Sequence, residues 1–472
     1  MNKNNININN FGVIKDANID IAPLNILIGP NSSGKSFIAK LIHCFSSHEN
    51  TSMINPQQYY KNLSNENKKK FDQFNENLLN YIKTQPTLKS DPFKILIEEI
   101  KPLIDEGILK YFSKIYTDKL EEEFSCNLDN LINFNESDFK IEIGNSILVK
   151  TNDAQLSFTL KEYPFKKEND DADMEDVVLK LDRDDENILI YINNFLYEIY
   201  SSENSNNAFL NIFGIISSAI MENLLLEKSY YIPAERSEIT TDRKLLTRAI
   251  QNKSEISKNQ AEALAIIQSI DKTKKGDFYK LACKLDEEIA KFYVDIEDND
   301  LYNEIIYINS KNDTKTPSTI LSTSVHEISL ISLYLKYVLQ KGDLLIIEEP
   351  EAHLHPKNQR ILVKYIADLI NDGLKIMITT HSDYILDQIN NMIRLNNYPK
   401  EKLNQINYTE NHIIHLEDIN IYFFKETEDD SIVCEEVYID ETGFSEDNFS
   451  KITDELYDET IHIINTRWLI WI

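Results

Sequence analysis

One stretch near the start of the chain has the spacing of a phosphate-binding loop. An apolar run at 25–28 is followed by Gly29-Pro30-Asn31-Ser32-Ser33-Gly34-Lys35-Ser36 and then by the apolar-periodic segment 37–45. This is the order strand, G-x-x-x-x-G-K-S, helix. Its glycines let backbone N–H groups turn towards a phosphate at a helix N-terminus, where the helix dipole also favours an anion. We therefore predict that residues 29–36 bind the phosphates of ATP, that Lys35 reaches the β- and γ-phosphates, and that the Ser36 hydroxyl ligates Mg²⁺.

A second polar cluster follows the apolar run 344–347, which is typical of a buried parallel strand. Glu348 and Glu349 lie at the C-terminal end of this run, where α/β sheets bind their ligands. Transfer of a phosphoryl group to water needs one carboxylate near Mg²⁺ and a second to hold the attacking water. We assign Glu348 to the metal and Glu349 to the water.

Two further strand ends carry side chains that can contact a nucleotide. The apolar run 375–378 leads into Thr379-Thr380-His381-Ser382, and His381 is predicted to contact the γ-phosphate through its imidazole. The short run 230–232 is stopped by Pro233, and Arg236 comes just past its end. Because ligands sit beyond the carboxyl ends of such strands, we expect Arg236 to face the nucleotide or a partner.

The elements that must position these residues can be predicted from the apolar pattern. An antiparallel layer is expected before the phosphate-binding loop, and helical segments separate the later strands. One of Ser322, Thr323 and Ser324 is expected to cap the helix at 328–339. Helical spacing occurs at 71–134, 186–227, 261–270, 278–294 and 328–339. Strand patterns occur at 6–14, 17–21, 24–28, 139–143, 155–160, 304–308, 413–416, 419–424 and 433–439.

Composition limits the classes of function. The chain has 472 residues, 42% of them hydrophobic, and a formal net charge of −29, which opposes indiscriminate coating of nucleic acid. Its four cysteines are widely separated and form no C-x-x-C, as expected for reduced thiols. The N-terminus lacks a hydrophobic signal core, and no apolar run approaches the length of a membrane span, which is about 18 residues. These features predict a soluble cytoplasmic protein that does not enter a membrane.

Together, segments 29–36, 348–356, 380–382 and 231–237 resemble the ABC-type ATPase heads of the OLD, RecF and SMC group, and OLD-like ATPases most closely. The resemblance implies an α/β fold: a P-loop head with a mixed sheet, an antiparallel β-layer and helical insertions. It places the head at 1–48 and 228–424, with strands from about 139–165. Helical insertions are then expected at 50–135 and 238–300, and a C-terminal extension at 425–472.

In the ATPases that this chain resembles, two heads sandwich two ATP molecules head to tail. A signature serine of one head contacts the γ-phosphate held by the other, and Ser324 matches this position. Glycine usually follows that serine, whereas Val325-His326-Glu327 follow it here. The resemblance thus implies a homodimer or higher oligomer with Ser324 at the ATP site.

The same resemblance leaves the role of the ATP cycle open. OLD proteins carry a C-terminal Toprim nuclease, and no such acidic pattern follows His381. OLD-like ATPases of several bacterial anti-phage systems act with a separately encoded nuclease, so a sensor ATPase that controls such an effector is the leading hypothesis. The alternative is a RecF-like clamp that closes on DNA, which needs a basic stripe; only patches such as 68–70 and 272–275 are present. The missing L-S-G-G-Q pattern argues against a transporter subunit.

Overall fold

The computed structural model describes most of the chain, in segments separated by short gaps. Some predictions concern residues outside these segments: the strand end at 162–165, most of the helical pattern at 202–227, and parts 445–456 and 464–472 of the C-terminal extension. The described residues are 5–46, 56–84, 93–134, 136–144, 146–152, 154–161, 176–184, 187–192, 195–201, 210, 214, 216–217, 228–241, 257–298, 302–444 and 457–463.

The described residues form strands and α-helices with the following bounds. The strands are β1 (Asn5–Phe11), β2 (Ile14–Asp20), β3 (Leu24–Ile28), β4 (Phe93–Leu96), β5 (Asp138–Ile143), β6 (Ser146–Thr151), β7 (Ser157–Leu160), β8 (Asp176–Asp184), β9 (Asn187–Ile192), β10 (Phe195–Ser201), β11 (Ser229–Ile232), β12 (Phe292–Asp298), β13 (Asn303–Asn309), β14 (Lys315–Thr316), β15 (Leu344–Glu348), β16 (Lys375–Thr379), β17 (Ile419–Glu426), β18 (Ile432–Glu436), β19 (Ile439–Asp440) and β20 (Gly443–Phe444). The α-helices are α1 (Lys35–Ser46), α2 (Pro56–Asn62), α3 (Asn65–Thr84), α4 (Ile97–Leu103), α5 (Lys110–Phe124), α6 (Arg236–Thr241), α7 (Lys258–Ser269), α8 (Tyr279–Leu285), α9 (Thr323–Tyr337), α10 (Pro356–Asn371) and α11 (Asp383–Arg394).

The chain folds as two compact units, and the first contains the antiparallel layer. This unit comprises Met1–Asp20, Lys40–Ser229 and Glu426–Cys434. Its larger set of strands has the order β18-β2-β1-β5-β6-β7, in which β18 is parallel to β2 and the other neighbours are antiparallel. Alternation of period two buries Ile6 and Ile8 on one face of β1. A second set has the order β10-β9-β8-β4.

The second unit comprises Ile21–Ala39, Tyr230–Lys425 and Glu435–Ile472, and it contains the segments with candidate chemistry. Its strands have the order β11-β15-β16-β3-β17, and β15, β16, β3 and β17 run parallel to one another. Ile347 is paired with Ile378, and Ile378 with Ile26. All five residues of β3 and of β15 are buried, as expected for strands of a parallel sheet covered on both faces. The C-terminal ends of β15, β16 and β3 therefore meet at one edge.

The predicted fold class is confirmed, because parallel strands, an antiparallel layer and helices are all present. The strands predicted at 24–28, 139–143 and 419–424 are also confirmed. Among the described residues, no helix is both long and apolar enough to cross a membrane.

Four of the sequence-based elements are wrong. Residues 93–96, within the helical pattern predicted at 71–134, form the strand β4, which pairs antiparallel with β8. The helix predicted from 186 is replaced by β9 and β10, which pair antiparallel; a short apolar run does not distinguish a strand from a buried helix. The helical pattern at 278–294 ends at a left-handed Lys291 (φ 62°), and β12 follows. The strand predicted at 413–416 is instead a stretch between two 3₁₀ turns, in which Ile413 and Ile414 are buried.

Candidate functional site

Residues 29–34 form a tight turn between β3 and α1, in the predicted order of strand, loop and helix. Gly29 has a φ of 145° and Gly34 a φ of 87°, which L side chains rarely adopt. A Cβ atom on Gly29 would lie 2.6 Å from the backbone oxygen of Phe424 in β17. Gly29 is therefore required both for its backbone conformation and for the close approach of the neighbouring strand.

Lys35, the first residue of α1, is buried beneath this loop. Its Nζ donates to the backbone oxygens of Gly29 (3.0 Å) and Pro30 (2.7 Å). Burial lowers the pKa of Lys35 to about 8, although the nearby carboxylates of Glu349 and Glu351 act to raise it. By contrast, Pro30, Asn31, Ser32 and Ser36 are exposed. The loop thus combines an accessible outer surface with a cation held at its centre.

Glu348 and Glu349 have different environments at the end of β15. The Glu348 side chain is buried, and its Oε2 accepts a hydrogen bond from the Ala234 N–H (3.2 Å). Glu349 is only half-buried and has a left-handed backbone with φ 43°. Its N–H donates to the oxygen (3.0 Å) and the Oγ1 (3.2 Å) of Thr379 in β16. A non-glycine residue persists in this conformation only where its surroundings fix it, so the position of Glu349 is imposed by the adjacent strand.

His381 follows the next strand of the same edge, two residues after the end of β16. The backbone N–H of His381 donates a hydrogen bond to Glu351 Oε1 (2.8 Å), and the same oxygen accepts one from the Thr380 hydroxyl (2.8 Å). Burial, and then the charge of Lys35, lower the pKa of His381, which favours the neutral imidazole. Sequence reasoning missed Glu351 as the residue that holds this loop, although it lies within segment 348–356.

The expectation that Arg236 faces a nucleotide or a partner is wrong, because its side chain is fully buried. Its Nη1 donates to the Glu348 carbonyl oxygen (2.8 Å) and its Nη2 to that of Glu349 (3.0 Å). Nε donates to the backbone oxygen of Glu327 (3.2 Å) and lies 2.9 Å from Glu327 Oε2. The hydrogen-bond donors of the guanidinium are thus used by backbone carbonyl groups of Glu327, Glu348 and Glu349.

Ser324 lies in the first turn of α9. Ser322 occupies the N-cap position, and the Ser322 and Ser324 hydroxyls are 2.8 Å apart. The residues that replace the usual glycine point inwards: Val325, His326 and Glu327 are all buried. The residues of α9 that are not buried are Thr323 and Ser324 at its start and Tyr337 at its end.

The site residues can be sorted by where the parallel strands place them. Lys35, Glu348, Glu349 and His381 follow the adjacent strands β3, β15 and β16 at one edge. Ser36 and Glu348 offer a hydroxyl and a carboxylate, which are hard oxygen donors that suit Mg²⁺. A cation, two carboxylates and a neutral imidazole around a loop of exposed backbone can bind and polarise a polyphosphate.

This combination of fold and site defines a P-loop nucleotide-binding protein of the α/β class. The chain belongs to the AAA ATPase domain family, whose model matches residues 1–386. No curated protein sequence matches it.

Solved structures with similar chains come from SMC and RecF proteins. An SMC head domain from Thermotoga maritima is 8% identical, covers 92% of this chain and 98% of its own, and gives a TM-score of 0.31. An Smc head domain with an extended coiled coil, bound to the C-terminal domain of ScpA and derived from Pyrococcus furiosus, is 12% identical, covers 96% and 99%, and gives 0.34. The recombination mediator protein RecF is 11% identical, covers 91% and 97%, and gives 0.31.

Proposed function

We propose that this chain binds and hydrolyses ATP, and that its nucleotide state controls a separately encoded effector. One observation carries the hydrolytic part of the proposal. Lys35, Glu349 and His381 follow three neighbouring strand ends, β3, β15 and β16, so the groups that hold a γ-phosphate and a water are gathered at one edge. Membership in the AAA ATPase domain family agrees with this assignment.

Each side chain has a distinct role in the proposed reaction. Backbone N–H groups of residues 29–34 and the Lys35 ammonium bind the β- and γ-phosphates. Glu349 orients a water molecule and accepts its proton as the water oxygen bonds to the γ-phosphorus, while the bond to the β–γ bridging oxygen breaks to give ADP and phosphate. The neutral His381 donates an N–H to the γ-phosphate. Ser36 and Glu348 would hold Mg²⁺, which would neutralise phosphate charge when bound.

We further propose that the active form is a head-to-tail homodimer or higher oligomer. Asn31 and Ser32 of the loop are exposed, and so are Ser322 and Thr323 at the start of α9. The exposure of both segments supports a contact between a nucleotide held by one copy and Ser324 of a second copy. This arrangement is the one implied by the resemblance to the OLD, RecF and SMC group.

The proposed biological role is a sensor ATPase of an anti-phage defence system, with a nuclease or Toprim protein as the effector. A net charge of −29 suits a protein partner better than bare DNA. The lysine patches that a DNA clamp would need lie next to acids: Lys70 is 3.0 Å from Glu66, and Lys272 is 3.6 Å from Asp295. These contacts favour the sensor over the RecF-like clamp.

Light scattering of Glu349→Gln with and without ATP and Mg²⁺ tests the oligomer. A rise in mass from monomer to dimer with ATP is expected, because the variant binds ATP without hydrolysing it. A monomer at saturating ATP would contradict the head-to-tail arrangement. Duplex DNA binding that is tight and falls steeply with salt would favour the clamp instead.

A further inference from the structure

Arg236 contacts two distant parts of the second unit through one planar side chain. It lies just after β11, and its Nη atoms donate to the carbonyl oxygens of Glu348 and Glu349 at the end of β15. Its Nε bonds to the backbone of Glu327 in the first turns of α9. The side chain is 0% exposed, so none of these contacts is shared with water. A guanidinium has five N–H donors in a rigid fork, which suits such divergent acceptors; an ammonium does not.

The hydrogen bond from Arg236 fixes the backbone of Glu349, the residue that is proposed to orient the water. Thr379 holds the N–H of Glu349, and Arg236 holds its carbonyl oxygen. Both peptide groups flanking a left-handed φ of 43° are thus constrained from outside the strand. Without one of them, the backbone is free to relax towards a less strained conformation, and the carboxylate moves with it.

The contact with Glu327 connects the same guanidinium to the helix that carries Ser324. Glu327 is three residues after Ser324, about one turn along α9. Its carboxylate is 1% exposed and lies 2.9 Å from Arg236 Nε. Any shift of the first turn of α9 therefore displaces the partner of Arg236.

We infer that Arg236 is a positioning residue that couples the start of α9 to the backbone of Glu349. Contact of Ser324 with a nucleotide held by a second copy is then transmitted through Glu327 and Arg236 to the carboxylate that holds the water. This inference rests on the proposed function, since it assumes ATP hydrolysis by Glu349. It assigns Arg236 no contact with ATP.

The first experiment compares Arg236→Lys with Lys336→Arg. The control is matched: Lys336 also forms a buried ion pair on α9, with Asp286 Oδ2 at 2.6 Å, but it lies far along the helix from the acidic residues. Equilibrium ATP binding, kcat, KM and thermal unfolding are measured for both. Arg236→Lys is expected to lower kcat at least about tenfold with ATP affinity within about threefold, whereas Lys336→Arg lowers kcat less than about threefold at a similar loss of stability.

A kcat of Arg236→Lys near that of the unchanged protein would overturn the inference. So would an equal loss of kcat in Lys336→Arg at equal loss of stability, because both effects would then be purely structural. If Arg236→Lys does not fold, Glu327→Gln takes its place: it removes the charge that faces the guanidinium but keeps the shape, and the same selective loss of kcat is expected.

A double-variant cycle tests the coupling itself. If Arg236 transmits the contact of Ser324, the fold-loss in kcat caused by Ser324→Ala shrinks at least about threefold when Arg236 is already lysine. Losses that simply multiply would refute the coupling. Glu349→Gln is run in the same assay: undiminished hydrolysis by that variant would refute the proposed role of Glu349, a failure distinct from any result at Arg236.

Discussion

Affinity for ATP is expected to depend on pH because Lys35 titrates near the working range. Burial lowers the pKa of Lys35 to about 8, whereas an exposed lysine stays charged to much higher pH. ATP phosphates attract the ammonium form and not the neutral amine. Raising the pH through 8 therefore removes the binding-competent form of the free protein, and affinity falls as pH rises.

The magnitude follows from the fraction of protein that carries a charged Lys35. With a pKa of about 8, roughly nine-tenths of the protein is competent at pH 7 and roughly one-tenth at pH 9. The apparent Kd scales inversely with that fraction, so it is expected to rise about tenfold between these two pH values.

The assay is equilibrium binding of ATP at constant ionic strength from pH 7 to pH 9.5. Lys35→Arg is the control, because arginine keeps its charge throughout this range, and its affinity, even if weaker, is expected to be flat above pH 7.5. Titration of ATP itself contributes equally to both proteins. An unchanged Kd between pH 7 and pH 9 would refute the reasoning, as would a slope shared by Lys35→Arg.

Three other predictions concern the loop and the strand ends. Glu349→Gln should keep ATP affinity within about threefold and slow single-turnover hydrolysis about 10²–10⁴-fold; normal turnover would assign the water to another acid. Gly29→Ala should abolish ATP binding and lower the free energy of unfolding by about 1–3 kcal/mol, since its Cβ would lie 2.6 Å from the Phe424 oxygen; unchanged denaturant unfolding would contradict this. Glu351→Ala removes the acceptor for Thr380 and for the His381 N–H, so kcat should fall while binding persists, and Glu351→Gln should restore much of it; equal activity of all three proteins would exclude this role.

The parts of the site that sequence predicts are those whose chemistry is local. The loop at 29–36 needs glycine at two fixed positions. An apolar run that ends in Glu348 and Glu349 predicts a buried strand with polar side chains at the end where ligands bind. The position of Arg236 past the end of β11 is equally visible in the sequence, but the prediction that its side chain faces a nucleotide or a partner is wrong. Its acceptors come from α9 and β15, about 90 to 110 residues further along the chain, and no local pattern shows that they converge on it.

Errors in predicting the fold from sequence have the same cause, which is contact between residues that are distant in the chain. Residues 187–201 are mostly apolar, so their helical spacing does not exclude a strand, and their antiparallel pairing depends on neighbours in space. Glu351 lies within segment 348–356, yet its role depends on the backbone of a loop 30 residues later. Tertiary contacts decided each of these outcomes.

Two buried ion pairs on α9 influence the orientation of this helix relative to the end of β15. Every residue from Val325 to Lys336 is buried, so this part of α9 has no exposed face to fix its rotation. Glu327 and Lys336 are nine residues apart, about two and a half turns, and therefore lie on opposite faces. Burying such pairs adds little net stability, but each constrains one face of the helix to one partner, Arg236 or Asp286. The pairs thus fix the rotation of α9, and with it the position of Ser324 relative to the acidic end of β15.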